Sequence, residues 1–176
     1  VGYSLTGRIE EQCLFIFNGD GANGKSTLVN TITKLLGGYS KTAPEQTLLA
    51  NQRTGVGDDL AYLQGARFIS VSEIDEGQAL AEAKVKRITG GDDIAGRALY
   101  SLYGSLNIVA KIVIATNNLP KINGRDHGIY RRLQIVPFQR RFEAHEQDKP
   151  FADKLEAELS GILNWAIRGC MQRQEQ

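Results

Sequence analysis

Apolar residues along the chain fall into two kinds of run. "CLFIF" (13–17), "RFISVS" (67–72), "AKIVIAT" (110–116) and "LQIVPF" (133–138) are short, nearly continuous and rich in β-branched and aromatic residues. Strands buried on both faces of a parallel sheet read this way. From Lys25 to Leu36 the period changes: Leu28, Val29, Ile32, Leu35 and Leu36 recur at helical spacing, and the run stops at Gly37-Gly38. Further helices are predicted over 44–50, 57–63 and 79–89, and a last one from Phe151 onward. In that last segment Phe151, Leu155, Leu159, Ile162, Leu163, Ala166, Ile167 and Cys170 share one face, which should pack on the sheet or on a neighbouring domain. The stretch "DIAGRALYSLYGSLNI" (93–108) mixes small, aromatic and β-branched residues around glycines, and predicts a hairpin inserted before the fourth strand. The alternation of strands and helices predicts an α/β domain, three layers deep, with a mostly parallel sheet.

Composition narrows the functional classes. A chain of 176 residues suits one domain with a real core. No apolar run approaches the ~20 residues of a membrane span, so no membrane partner is expected. With 21 basic and 20 acidic residues the net charge is +1, so any case for nucleic-acid binding must be local. Cys13 and Cys170 lie far apart without metal-ligand spacing and read as two thiols in a reducing, cytoplasmic compartment. His127 and His145 are isolated, and no zinc site is expected from them. The opening "VGYSLTGRIEEQ" reads as the start of a piece excised from a longer polypeptide.

The chemistry concentrates in "GDGANGKST" (19–27), where Gly19, Gly24, Lys25 and Ser26 satisfy G-x-x-x-x-G-K-[ST] between a strand and a helix. In such a loop Gly19, Asp20, Gly21, Ala22, Asn23 and Gly24 wrap phosphates with backbone N–H groups, and the helix that follows presents its positive end. Lys25 is expected at the β- and γ-phosphates of ATP, Ser26 on Mg²⁺, and Thr27 beside them. "RFISVSEIDEG" ends a strand at Ser72-Glu73. Glu73 is the candidate general base for the attacking water and a candidate metal-side carboxylate, with Asp75 assisting the metal through water. "KIVIAT" ends at Asn117-Asn118, and Asn117 can hold that water or sense the γ-phosphate. Arg131 and Arg132 precede the last strand; one is expected to pair structurally while the other projects toward a neighbouring subunit's phosphate.

Taken in order, "GDGANGKST", "SEIDEG", "VKRITGGDDIAGRALY", "ATNNLP", "GRDHGIYRRLQIVPF" and "LEAELSGILNWAIRG" resemble the helicase domain of phage and plasmid primase-helicases. That group lies among the superfamily 3 helicases of the AAA+ class, and the resemblance runs from about Cys13 to Gly169. It implies an ATP- and Mg²⁺-dependent DNA translocase, a P-loop fold of the AAA+ type, and a homo-oligomer, expected as a hexameric ring drawing DNA through its channel. It also implies a primase domain elsewhere in the parent protein and a bacterial host cell as the setting. Residue by residue, Gly24, Lys25 and Ser26 match the phosphate loop, Glu73 the second motif, Asn117 the sensor, and Arg132 the arginine finger, with Arg131 its competitor. Lys86, Thr89, Gly90, Gly91 and Asp92 match the motif before the DNA-contacting hairpin, on which Arg97 would sit; Lys111 reads either as a second DNA contact or, slightly preferred, as a strand-edge charge. The Lys-His pair carried by hairpins of better-known relatives is missing here. Two other readings stay open: an ATP-gated DNA-remodelling or loading factor that separates no strands, and a P-loop phosphotransferase.

Overall fold

The computed structural model of the protein describes residues 1–50, 58–96, 104–124 and 126–175. The four predicted strands form as β1 (Leu14–Asn18), β3 (Phe68–Ser72), β6 (Lys111–Thr116) and β7 (Leu133–Pro137). They join β2 (Ser40–Ala43) in a five-stranded sheet, order β2-β3-β6-β1-β7, whose pairs are all parallel. This is the expected three-layer α/β architecture of P-loop, AAA+-like domains.

Burial on both faces explains the continuous apolar runs. Leu14, Ile16, Ile69, Val71, Ile112 and Ile114 lie in the larger core cluster, while Phe17, Phe68 and Val113 pack in the second with Val29 and Ile32 of α1 (Lys25–Leu36). Alternate side chains of β1, β3 and β6 therefore enter different cores, whereas β7, at the sheet edge, departs from the expectation and leaves Ile135 and Val136 exposed. The helix ends where predicted, at Gly37 with φ +51.

The departures have local causes. β2 is absent from the sequence reading because "SKTA" carries no apolar period; it forms by pairing with β3, and Ala43 is its buried residue. The expected helix over 44–50 is a single 3-10 turn at Glu45–Thr47, since Leu48 and Leu49 are both drawn into the core. The predicted 57–63 helix is α2 (Asp58–Tyr62). The predicted 79–89 helix begins only at Glu82 (α3, Glu82–Gly90), because Leu80 and Ala81 spend their N–H groups on Lys121 and Leu48 carbonyls at 3.0 and 2.8 Å. α3 leads into the predicted hairpin, β4 (Ile94–Gly96) paired antiparallel with β5 (Gly104–Leu106).

A short α4 (His127–Tyr130), capped by Asp126 accepting from the Gly128 N–H at 2.7 Å, precedes β7. The C-terminal segment is two helices, α5 (Phe151–Ala157) and α6 (Leu159–Gln174). Part of its predicted stripe turns inward: Leu155, Leu159, Ile162 and Cys170 are half-buried and Ala166 is buried. The face contacts α1 and the N-terminal turn Gly2–Leu5 rather than the sheet, while Phe151, Leu163 and Ile167 are exposed. Gly2 lies so close to α6 that a Cβ there would stand 2.5 Å from the Ala166 carbonyl oxygen. No helix among the described residues is long and apolar enough to cross a membrane. Cys13 and Cys170 are free thiols.

Candidate functional site

Because the sheet is parallel, the C-terminal ends of its strands share one rim, and the glycine loop emerges there from β1. Gly19 is required by close approach: a Cβ would stand 2.3 Å from the Phe138 carbonyl oxygen. Gly21, Ala22 and Gly24 have φ of +42, +46 and +86, the left-handed backbone with which a loop can turn successive N–H groups toward an anion. Asn23, buried, donates to the Phe138 carbonyl at 3.2 Å and accepts from the Lys25 N–H at 3.4 Å. The Ala22 carbonyl accepts from the Phe142 N–H at 2.8 Å. The loop is thus held from behind by the chain that follows β7.

Lys25 opens α1 and is 6% exposed. Its ammonium donates to the Gly19 carbonyl, and to Asn23 Oδ1 and Asn117 Oδ1 at 3.2 Å each. Burial holds its pKa below the ordinary lysine value, against the opposing pull of Asp20 and Glu73. All three acceptors are neutral, so the charge is caged but not cancelled.

Glu73 follows β3, its N–H bonded to the Ala115 carbonyl at 3.1 Å. Thr116, buried at the end of β6, ties this loop to the asparagine loop. Its hydroxyl lies 3.2 Å from the Ile74 and Asn118 amide nitrogens, and 3.3 and 3.0 Å from their carbonyl oxygens. Asn18 adds a bond from Nδ2 to the Asn117 carbonyl at 3.0 Å. Gly21, Ala22, Asn23, Gly24, Lys25, Ser26, Thr27, Glu73 and Asn117 consequently line one cleft of about 490 Å³. Inward N–H groups, a helix N-terminus and a caged ammonium suit a polyanion, and Ser26 with Glu73 offers oxygen donors to a hard cation. Asp75 is exposed and outside the cleft lining. Thr42 and Ser70 complete the wall, their hydroxyls 3.2 Å apart. Both escaped the sequence reading, although a serine in the middle of the apolar run "RFISVS" was a signal.

The arginine pair sits on the opposite rim. Arg132 O accepts from the Leu14 N–H at 2.7 Å, at the start of β1, a strand length of roughly 16 Å from the phosphate loop. The two arginines differ in burial but share one acceptor: both guanidiniums donate to Gln12 Oε1. Arg132, the favoured finger, is 8% exposed and spends its guanidinium on Thr89 Oγ1 (3.0 Å), the Gly128 carbonyl (2.8 Å) and Gln12 Oε1 (3.0 Å). Arg131 is the exposed one.

Two other expectations meet the structure differently. Lys111 is 2% exposed, in a strand interior to the sheet, and lies under the N-terminal segment. Its ammonium donates to the Thr6 carbonyl at 2.5 Å and sits 4.3 Å from the centre of the Tyr3 ring. Burial, then the Arg173 charge, lowers its pKa to about 8. It is therefore neither an exposed strand-edge charge nor available to a DNA phosphate. Arg97 lies outside the described residues. The motif before the hairpin has a structural role that spacing did not reveal: Lys86 pairs with Asp126, and Thr89 holds Arg132.

A family model described as "Family of unknown function (DUF5906)" matches residues 17–132. The chain belongs to that family. The DUF5906 match spans the phosphate loop, both acidic and asparagine loops, the hairpin and the arginine pair. Among curated proteins, the domain is 32% identical over 146 residues to "Putative helicase L207/L206" of Acanthamoeba polyphaga mimivirus, covering 81% of this chain and 15% of that protein. It is 26% identical over 137 residues to "Primase D5" of fowlpox virus, covering 75% of this chain and 17% of that protein. The chain thus spans about a sixth of these relatives' length. In fold it is similar to the NrS-1 C-terminal region, with a TM-score of 0.69 at 13% identity over 89% of this chain and 36% of that one. These findings agree with the motif order: the domain is similar to part of viral proteins named as helicases and primases, and it shares the fold of the NrS-1 C-terminal region.

Proposed function

We propose that the DUF5906 domain is the ATP-hydrolysing motor that moves DNA in a replication primase-helicase, and that its sites are completed between subunits. The observation that carries this reading is the division of labour between the two rims of the sheet. Lys25, Glu73 and Asn117 converge on one, while the exposed Arg131 stands on the other, too far away to serve its own cleft. ATP is the substrate: the 19–27 loop binds its phosphates, and Lys25 exchanges its neutral acceptors for them. Ser26 and Glu73 would hold Mg²⁺, which would supply charge neutralisation to the phosphates when bound. Glu73 orients and deprotonates the attacking water, and Asn117 registers the γ-phosphate. Arg131, rather than Arg132, is the trans-acting guanidinium in this reading. The hairpin carrying Arg97 contacts DNA in the channel of a ring, a hexamer by family resemblance, and the longer parent polypeptide carries the primase.

The test is the ATP hydrolysis rate per subunit against protein concentration, with and without single-stranded DNA, using Lys25→Ala as the blank. A rate that climbs with concentration and again with DNA supports composite sites and a motor. A flat rate indifferent to DNA, yet abolished by Lys25→Ala, overturns it in favour of a phosphotransferase. Strand-displacement assays on the parent polypeptide then separate a motor from a loading factor.

A further inference from the structure

Gln12 lies in "RIEEQC", the turn that feeds β1. Among the described residues, only Gln12 and Ala22 have positive φ without being glycine, and Ala22 belongs to the phosphate loop. At φ +50 the Gln12 backbone occupies a region that costs a non-glycine residue on the order of 1 kcal/mol, and surrounding structure must hold it there. Its N–H is fixed to the Ile9 carbonyl at 2.9 Å. The side chain shows what the turn achieves. A single amide oxygen, Oε1, accepts from the NH2 groups of Arg131 at 2.5 Å and Arg132 at 3.0 Å.

The chemistry of these contacts is specific. Arg132 is locked by Thr89, Gly128 and Gln12, and each of those acceptors is a neutral oxygen. Arg131 is fastened to the same amide, so its position is referred to the buried Arg132. A carboxylate at position 12 would hold both guanidiniums more tightly but would cancel part of their charge. An amide holds them and leaves the charge in place. The requirement is orientation without neutralisation, which suits an arginine that must meet a phosphate elsewhere.

We propose that Gln12 is a positioning residue, anchoring Arg131 against the buried Arg132 so that an uncancelled guanidinium faces the nucleotide of an adjacent subunit. The inference rests on the trans-acting reading of Arg131. It predicts that stability and turnover move apart in Gln12→Glu. That variant should melt at or above the wild-type temperature, bind a fluorescent ATP analogue normally, and lose turnover in the assembled state by roughly 10- to 100-fold, as misplaced or weakened catalytic groups do. Gln12→Leu should lose turnover similarly, with Arg132 still held by Thr89 and Gly128.

A mixing experiment assigns the effect to the neighbour. Lys25→Ala subunits, inactive in their own clefts, are titrated into wild type with and without Gln12→Glu. The doubly substituted subunits should depress wild-type turnover further than the singly substituted ones. Equal depression by the two, or wild-type turnover in Gln12→Glu while Arg131→Ala is inactive, overturns the inference and leaves the motor reading standing. Parallel loss of melting temperature and activity in Gln12→Glu also overturns it, since that marks a purely structural contact. Wild-type turnover in Arg131→Ala removes the trans-acting arginine itself, and the inference with it.

Discussion

The Lys25 ammonium lies 3.2 Å from Asn117 Oδ1, joining the first residue of the phosphate-loop helix to the loop after β6 across 92 positions of sequence. Asn117 is neutral, so the contact positions the lysine without consuming its charge. Asn117→Asp should convert it into an ion pair and weaken nucleotide binding by about 10- to 100-fold, on the scale of a charge-assisted hydrogen bond. Fluorescent-nucleotide titration reads the change. Asn117→Ala should instead retain binding and lose turnover.

Thr116 offers a cleaner separation of structure from chemistry. Thr116→Val keeps the shape but removes the hydroxyl that ties Ile74 to Asn118. Leaving the buried Ile74 groups without it should cost about 1–3 kcal/mol, or roughly 2–4 °C of melting temperature per kcal/mol for a chain of this size. Since Glu73 and Asn117 flank the tie, turnover should fall by more than nucleotide affinity does.

Gly19→Ala should be the most damaging single methyl in the loop, because its Cβ would meet backbone, the Phe138 carbonyl oxygen, at 2.3 Å. We expect a loss of about 1–3 kcal/mol by thermal or urea melting and loss of nucleotide binding. Gly21→Ala meets no atom within 4 Å, but its φ of +42 leaves a smaller conformational cost.

The two arginines should behave oppositely. Arg132→Leu removes the shared donor to Thr89 Oγ1, the Gly128 carbonyl and Gln12 Oε1 and should destabilise the fold by about 1–3 kcal/mol. Arg131→Ala should fold and bind ATP normally while losing turnover.

Lys111 gives a pH signature. Its folded-state pKa, about 8, lies below the ordinary lysine value of 10.5. Between those values the unfolded chain binds the proton and the folded chain does not, so stability gains from this group as pH rises through the window. Below about pH 8 the cost of burying the charge is present in full. Lys111→Met should therefore be more stable than wild type at pH 7, by at most about 3 kcal/mol, and the difference should shrink toward pH 10.5. Paired melts across that range check the sign.

What the sequence disclosed follows from how local each signal is. The phosphate loop and α1 were legible because nine consecutive residues carry the chemistry and the helix period begins at once. Glu73 and Asn117 were legible as polar residues ending apolar strands. β2 was not, because its strand character comes from pairing with β3 and not from its own side chains. The choice between Arg131 and Arg132 could not be read either: it depends on Gln12 and Thr89, 119 and 43 positions from the arginines they touch. Lys111 misled because its cover, the Tyr3 ring and the Thr6 carbonyl, lies more than a hundred residues upstream.

The all-parallel order β2-β3-β6-β1-β7 gives the subunit a front and a back. In a ring of the kind the resemblance implies, the rim that carries Arg131 meets the cleft rim of the next subunit, and such heterologous contacts either close into a ring or run on as a filament. If Arg131 serves its neighbour, every subunit in that assembly points the same way around it. Polarity is then a property of the parallel five-stranded sheet before it is a property of the assembly.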